Sequence, residues 1–198
     1  MLQIGITGGI GAGKSLVARI FHVLAIPVYN ADERAKWLMN NDKQLQKQII
    51  ELFGEESYQQ GNLNRPYLAK KVFPNPELLK QLNSIVHPAV GSDYKNWISS
   101  REQEGYLYTI KEAALMFENG SYQQLDYTIL VHASEETRLK RVLSRDRQRD
   151  ENQVREIMKN QMPEEQKLKK ADFVIENDGK KMVIPQVLEI DKKIVNLT

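Results

Sequence analysis

Short apolar runs alternate along the chain with longer stretches in which apolar residues recur every three or four positions. The runs at residues 2–7, 106–110 and 127–131 have the length of buried strands, and shorter runs occur at residues 26–30 and 173–175. Helical patterns separate these runs. The chain therefore predicts an α/β fold with an open, mostly parallel sheet of about five strands, flanked by helices on both faces.

A block of helical patterns interrupts this alternation at residues 36–104, where no strand is predicted. Asn64 is a predicted N-cap inside the block, and His87-Pro88 predicts the end of one helix and the start of the next. We expect one domain over residues 1–198. Its core would be residues 1–35 with 105–198, and the block would form an inserted helical subdomain for a second substrate.

A glycine-rich loop follows the first predicted strand and leads directly into a helical pattern. It has the form Gly8-x-x-x-x-Gly13-Lys14-Ser15, which is the phosphate-binding loop of P-loop NTPase folds when it lies between a strand and a helix. Glycines let backbone N–H groups approach an anion, and the helix start adds a positive dipole. Lys14 would reach the outer phosphates, and the Ser15 hydroxyl would hold Mg²⁺. The alternative is a tight turn that binds nothing.

A basic tract follows the fourth predicted strand, and it supplies the positive charge that phosphoryl transfer needs. Arg141 and Arg145 are four residues apart, and so share one helical face, where their planar groups could bind phosphate oxygens. For Arg147 and Arg149 a solvated helix face explains the pattern equally well. Small-molecule kinases close a lid over the nucleotide, and we place such a lid at residues 138–150.

Two acidic residues come at predicted strand ends, where ligands bind in open α/β sheets. Asp32 could accept the proton of an acceptor hydroxyl, but it could also be only the N-cap of the helix that it begins. Glu112 follows the third strand and could hold a metal-bound water or simply be solvated. The residues alone leave both alternatives open.

Composition excludes several classes of protein. The 198 residues are 41% hydrophobic and 27% charged, with a net charge of +2 and no cysteine. Disulfides and cysteine zinc sites are therefore excluded, and a reducing cytoplasmic location is expected. No apolar run approaches the roughly 18 residues that span a membrane. The guanine motif Asn-Lys-x-Asp of GTPases is also absent.

The sequence resembles the dephospho-CoA kinase family along nearly its whole length. Residues 6–15 are similar to that family's form of the phosphate loop, Asn30-Ala31-Asp32 to its Asp-Ala-Asp, and residues 114–118 to its Pro-Leu-Leu-Phe-Glu. Further matches, in the same order as in the family, are Leu63, Arg65, Leu68, Val72, Phe73, Leu82, Asn83, His87, Pro88, Arg141, Arg145, Gln161 and residues 171–177.

This resemblance implies that ATP, with Mg²⁺, phosphorylates the ribose 3′-hydroxyl of dephospho-CoA in the last step of coenzyme A synthesis. It implies that Asp32 is the base, with Lys14 and Arg141 as the other catalytic residues. Asp32, Arg65 and His87 would bind the acceptor, and Ser15 the metal. ATP would contact Gly8, Gly9, Gly11, Ala12, Gly13, Lys14, Ser15, Leu16, Arg141, Arg145 and Asn177.

Three residues depart from the family pattern: Asn30 replaces the first Asp, Leu16 a common Thr, and Ala114 the Pro. Two other functions stay open, namely a nucleoside monophosphate kinase and a nucleotide-dependent nucleic-acid-binding protein. The basic tract is short and has no interleaved aromatic residues, so we expect no nucleic-acid partner. We also expect no membrane association and a monomer or weak homo-oligomer.

Overall fold

The computed structural model describes all 198 residues, Met1 to Thr198. Its two compact units are residues 1–30 with 101–198, and residues 31–100. The boundaries expected from the sequence are residues 35 and 104. None of the helices combines the length and the apolar character needed to cross a membrane.

The strands and helices alternate as the sequence pattern indicates. In chain order they are β1 (Leu2–Thr7), α1 (Lys14–Val23), β2 (Val28–Asn30), α2 (Ala31–Asn41), α3 (Lys43–Phe53), β3 (Tyr58–Gln59), β4 (Asn62–Leu63), α4 (Arg65–Val72), α5 (Pro76–Gln103), β5 (Tyr108–Glu112), β6 (Tyr127–His132), α6 (Glu135–Arg145), α7 (Glu151–Lys159), α8 (Glu164–Lys170), β7 (Phe173–Glu176) and α9 (Val183–Val195).

The larger unit is built on a five-stranded sheet in the order β2-β5-β1-β6-β7. Every pairing in this sheet is parallel, which confirms the predicted open parallel sheet. Its strands read as continuous apolar runs because helices or loops cover both faces. With β1 at the centre, the loop that follows it emerges at the carboxyl edge of the sheet, where ligands bind in such folds.

Both faces of the central strand are closely packed. On one face, Ile4 and Ile6 of β1 are fully buried in a cluster with Phe21 of α1 and Ile190 and Ile194 of α9. Fully burying such a side chain stabilises the fold by roughly 1.5–3 kcal/mol. On the other face, a Cβ on Gly5 would come 2.7 Å from Leu125 Cδ1. The loop that follows β1 therefore stands on a rigid support.

The smaller unit, residues 31–100, has its own core. Leu45, Ile49 and Phe53 form the buried face of α3 and pack with Leu68 and Val72 of α4. This spacing is that of an amphipathic helix. Asn64 caps α4 as predicted, because its side chain accepts a hydrogen bond from the Tyr67 N–H at 3.2 Å.

The expectation that residues 36–104 hold no strand is wrong, because β3 and β4 form an antiparallel hairpin there. Each of these strands has only two residues, too few to show an alternating pattern. Gln60 and Gly61 join them with φ values of 52° and 78°. Both positive values fit the two-residue turn that matches the twist of a hairpin.

The expected helix break at His87-Pro88 is also wrong. α5 is a single helix of 28 residues, and Pro88 lies inside it. A proline removes one backbone hydrogen bond and costs about 3 kcal/mol inside a helix. Buried residues lie on both sides of it, at Val86, Tyr94 and Ile98, and their packing offsets this cost. His87 is therefore an exposed residue inside a helix and caps nothing.

Candidate active site

The phosphate loop lies between the end of β1 and the start of α1. Gly13 precedes the helix with φ 97°, and Gly11 has φ 80°, a left-handed conformation that glycine adopts at little cost. A Cβ at Gly11 would also come 2.5 Å from the Arg138 carbonyl oxygen. The glycines that define the motif are therefore required both by backbone conformation and by close packing.

The first turn of α1 is open to an anion. Its N-cap residue, Gly13, has no side chain to accept hydrogen bonds, and no acidic residue lies in the first turn. A helix start has a partial positive charge and backbone N–H groups that point along its axis. An anionic group placed there would meet both, which is the arrangement that phosphate-binding loops use.

A cleft of about 210 Å³ opens beside the loop. It brings together several residues that the sequence assigns to ATP, since its walls are Gly11, Gly13, Lys14, Ser15, Leu16, Arg141, Val142 and Arg145. The Lys14 Nζ folds back over the loop and donates to the Gly8 carbonyl at 2.9 Å and to the Gly9 carbonyl at 3.3 Å. The ammonium group is thus held at the loop, at the wall of the cleft.

Glu112 joins the loop helix to the end of β2. Its Oε1 accepts a hydrogen bond from the Ser15 hydroxyl at 2.8 Å, and its Oε2 accepts one from the Asn30 side-chain amide at 2.8 Å. Glu112 is the last residue of β5 and is only 6% exposed. Of the two alternatives that the sequence left open for it, the solvated carboxylate is therefore wrong, and a role beside a metal-bound water stays a prediction. An Asp at position 30 would place a second negative charge against Glu112, whereas Asn30 donates to it.

The hydroxyl of Ser15 and the carboxylate of Glu112 suit a hard divalent cation that binds oxygen ligands. No group of three or more His, Cys, Asp and Glu side chains could hold a metal by itself. A cation here would therefore take most of its ligands from phosphate oxygens and water, which is the usual way in which Mg²⁺ binds with nucleotides.

Arg141 reaches the cleft from α6. Its Nη2 donates to the Asn177 carbonyl at 2.7 Å, while its Nη1 is buried and has no hydrogen-bond partner. A buried donor without an acceptor is costly, and a charged one more so. Phosphate oxygens in the adjoining cleft would supply the acceptor that Nη1 needs.

Arg145 also lines the cleft, but its guanidinium is paired with the carboxylate of Asp146. Two hydrogen bonds of 2.8 and 2.9 Å join the Arg145 guanidinium to the Asp146 carboxylate. Hydrogen bonding from Arg145 lowers the pKa of Asp146 below its usual value. Arg149 is a further partner of Asp146 at 3.7 Å. The positive charges of the predicted lid are thus partly compensated within the tract.

The start of the predicted lid belongs to the core. Arg138 is 7% exposed, and its Nε donates to the Ala133 carbonyl at 3.1 Å. Its guanidinium lies so close to Gly9 that a Cβ there would collide with it. Arg138 is the first residue of the predicted lid, although its spacing of four from the apolar Val142 indicates the buried face of α6.

Asn177, which the resemblance assigns to ATP, lies behind the loop and does not line the cleft. Its side-chain amide donates to the Ala12 carbonyl at 2.8 Å, and the side chain is 7% exposed. Gly8, Gly9 and Ala12 belong to the loop itself, but they do not line the cleft either. Asn177 therefore supports the loop from behind.

The acceptor-binding candidates lie in the unit formed by residues 31–100. Asp32 is exposed in the first turn of α2, which begins at Ala31, so it lies inside the helix. A cleft of about 460 Å³ in this unit is lined by residues of α2, α3 and α5. Arg65 and His87 are both exposed, and neither lines this cleft.

The glycine loop lies between a strand and a helix, ends in a lysine and a serine, and follows the central strand of a parallel sheet. This combination defines a P-loop nucleotide-binding protein. The sequence model of the dephospho-CoA kinase family matches residues 2–182. The chain therefore belongs to the dephospho-CoA kinase family.

Relatives and solved structures agree with this assignment. The chain is 38% identical to a dephospho-CoA kinase of Bacteroides fragilis, covering 96% of this chain and 91% of that protein. It is 38% identical to one of Bacillus cereus, covering 98% and 97%. A crystal structure from Thermus thermophilus matches with TM-score 0.82 at 34% identity, covering 100% of this chain and 98% of that one. The dephospho-CoA kinase of Campylobacter jejuni matches with TM-score 0.73 at 25% identity, covering 98% and 97%.

Proposed function

We propose that this chain transfers the terminal phosphoryl group of ATP to the ribose 3′-hydroxyl of dephospho-CoA, with Mg²⁺ as the cation and Asp32 as the base. Membership of the family makes the chain a kinase that phosphorylates dephospho-CoA with ATP in coenzyme A biosynthesis. The observation that carries the residue assignments is the cleft where the phosphate loop, Lys14 and Arg141 meet.

The nucleotide's phosphates would lie on the loop and the start of α1. The Lys14 ammonium, which donates to the Gly8 and Gly9 carbonyls, would turn to the outer phosphates. Arg141 would offer its buried, unpartnered Nη1 to the group being transferred. Preorganised donors of this kind stabilise the charge that grows on phosphate oxygens during transfer.

Ser15 and Glu112 would hold the cation, Ser15 directly and Glu112 through the hydroxyl or a bound water. When bound, the cation neutralises charge on the phosphate oxygens. Asn30 keeps Glu112 in place through its hydrogen bond of 2.8 Å. The replacement of the family's first Asp by Asn therefore fits a site in which Glu112 supplies the carboxylate.

Asp32 would accept the proton of the acceptor hydroxyl. Its exposed carboxylate makes it accessible to a substrate, and it follows Asn30, at the end of β2, by two positions in the chain. The resemblance of Asn30-Ala31-Asp32 to the family's Asp-Ala-Asp supports the same role. Asp32 also lies in the first turn of α2, near the positive end of that helix dipole.

An assay of ADP release over a panel of acceptors tests this function. We expect ADP release with dephospho-CoA and none above background with AMP, CMP or shikimate. Omission of Mg²⁺ should abolish the signal. Release with a nucleoside monophosphate in place of dephospho-CoA would contradict the proposal and favour the alternative kinase class.

Lys14→Ala is expected to lower kcat about 10²-fold or more, because it removes a cation aimed at the transition state. The fold should survive, because the Nζ donates to the loop carbonyls of Gly8 and Gly9, whereas the buried residues Val17, Ala18 and Phe21 hold α1 in the core. Steady-state kinetics and a melting curve check both parts. Lys193→Ala, which removes a lysine paired with Glu189 on α9, is the matched control. Retention of more than about a tenth of kcat by a folded Lys14 variant would contradict the assignment.

The exposed part of the predicted lid is expected to exchange hydrogen more slowly when nucleotide binds. Residues 144–150 are mostly exposed, whereas Arg138, Leu139 and Val142 are buried. The triphosphate would compete with Asp146 for Arg145, and closure over it would exclude water. Hydrogen exchange should show slower exchange at residues 144–150 when a non-hydrolysable ATP analogue and Mg²⁺ are added. Equal exchange in both states would contradict a lid.

A further inference from the structure

The tip of the phosphate loop is held by a side chain from far along the sequence. Ile10 lies in a turn closed by the Ala12 N–H, which donates to the Gly9 carbonyl at 3.1 Å. Gly11 follows Ile10 with φ 80°, as a type II turn requires. This turn bond leaves the Ile10 N–H unused. The side-chain oxygen of Gln161 accepts it at 2.9 Å, across 151 positions of sequence.

The Ile10 side chain is fixed from the same direction. It packs against the buried cluster of Leu139, Val142 and Val154, which joins α6 to α7. Both the backbone and the side chain of the loop tip are therefore attached to the α6–α7 pair and to the segment that follows it.

Gln161 lies in the short link between α7 and α8, and this link is itself anchored. The N–H of the next residue, Met162, donates to Glu118 Oε1 at 2.9 Å. Glu118 forms an ion pair of 3.1 Å with Lys167, a side chain that is only 1% exposed. Burying both charges costs desolvation that an apolar pair would avoid. What the pair does provide is a fixed acceptor for Met162, and hence a fixed position for Gln161.

The turn held by Gln161 is connected to Lys14. The Gly9 carbonyl, which closes the turn, also accepts a hydrogen bond from the Lys14 Nζ at 3.3 Å. A shift of the turn would therefore move both the loop N–H groups and the lysine. Misplacing a reacting group by about 1 Å can cost on the order of 10²-fold in rate.

We propose that Gln161 is a positioning residue for phosphoryl transfer, which sets the phosphate loop through the Ile10 N–H before ATP binds. The proposal rests on the kinase function given above and adds a role for a residue outside the cleft. The Glu118–Lys167 pair is the anchor that keeps Gln161 in reach of Ile10.

Two substitutions separate this role from simple packing. Gln161→Met keeps the length of the side chain but removes the acceptor, whereas Gln161→Glu keeps an acceptor oxygen and adds a negative charge beside the loop. We expect Gln161→Met to lower kcat about 10- to 10²-fold with little change in melting temperature. Gln161→Glu should recover most of kcat and raise the KM for ATP, because its charge repels the phosphates. Gln166→Met, at an exposed position of α8, is the matched control.

The exchange rate of the Ile10 amide, measured by NMR, tests the contact independently of activity. We expect it to be protected in the wild-type chain and in Gln161→Glu, and to exchange faster in Gln161→Met. Equal exchange in all three would overturn the contact. A kcat of Gln161→Met within twofold of wild type, or equal losses in the Met and Glu variants, would overturn the positioning role.

Failure of the proposed kinase function can be distinguished from failure of the role proposed for Gln161. A wild-type chain that fails to phosphorylate dephospho-CoA would contradict that function, and Gln161 would then be judged on binding of a non-hydrolysable ATP analogue by calorimetry. Weaker binding by Gln161→Met than by wild type would support its role in setting the loop, and unchanged affinity would overturn it.

Discussion

Arg141→Ala is expected to lower kcat about 10³-fold, within the range found for arginines that stabilise transferring phosphoryl groups. The KM for ATP should rise much less, because the charge that Arg141 meets is greatest in the transition state. Its Nη2 donates to the Asn177 carbonyl at 2.7 Å, and its Nη1 is buried without an acceptor, in a residue that lines the cleft. The contact with Asn177 positions the guanidinium, and Nη1 remains as a donor for phosphate.

Two further variants show whether the guanidinium itself matters. Arg141→Lys keeps the charge but cannot hold the Asn177 carbonyl and a phosphate with one planar group, so its kcat should lie between those of wild type and Arg141→Ala. Lys140→Ala removes a neighbouring lysine that pairs with Glu136 at the surface, and it should leave kcat unchanged. A loss by Arg141→Ala that appears only in KM would make Arg141 a ground-state binding contact.

Asp32→Asn is expected to lower kcat by roughly 10²–10⁴, the contribution typical of a general base. ATP affinity should be nearly unchanged, because the variant leaves the phosphate loop and the cleft walls intact. Asn keeps the size of the side chain and removes only its basicity. Stopped-assay kinetics, ATP titration and a melting curve on one preparation separate the loss of a base from a loss of folding.

Glu33→Gln is the matched control for Asp32, since it removes a carboxylate one residue further along the same helix. Glu33 is exposed and pairs with Lys36 at 2.5 Å. We expect this variant to keep the wild-type kcat. A normal kcat in Asp32→Asn would rule out the catalytic role and leave Asp32 as a helix-start residue that interacts favourably with the dipole of α2.

Local patterns were enough to predict the sheet and the phosphate loop. Each strand of a parallel sheet is buried on both faces and so appears as an apolar run. The loop is a contiguous motif whose conformation follows from its glycines, as Gly13 with φ 97° shows. The N-cap at Asn64 was predictable for the same reason, because its side chain bonds to a residue only three positions further on.

Features that depend on distant residues could not be predicted. Glu112 is buried because Ser15 and Asn30 come to it from positions 97 and 82 away. Gln161 contacts Ile10 only because the fold brings the link after α7 to the loop. Pro88 stays inside a helix because tertiary packing of α5 outweighs a local preference. In each case the deciding energy comes from contacts between segments, which local spacing does not encode.

The position of the transferred phosphate tests the central claim most directly. The chain is incubated with ATP, Mg²⁺ and dephospho-CoA, and the purified product is analysed by mass spectrometry and by proton–phosphorus correlation NMR. We predict a product heavier by one phosphoryl group, with a phosphomonoester coupled to the ribose H3′, and one ADP formed for each product molecule. ADP formed without this product, or a new phosphomonoester coupled to any carbon-bound proton other than H3′, would contradict it.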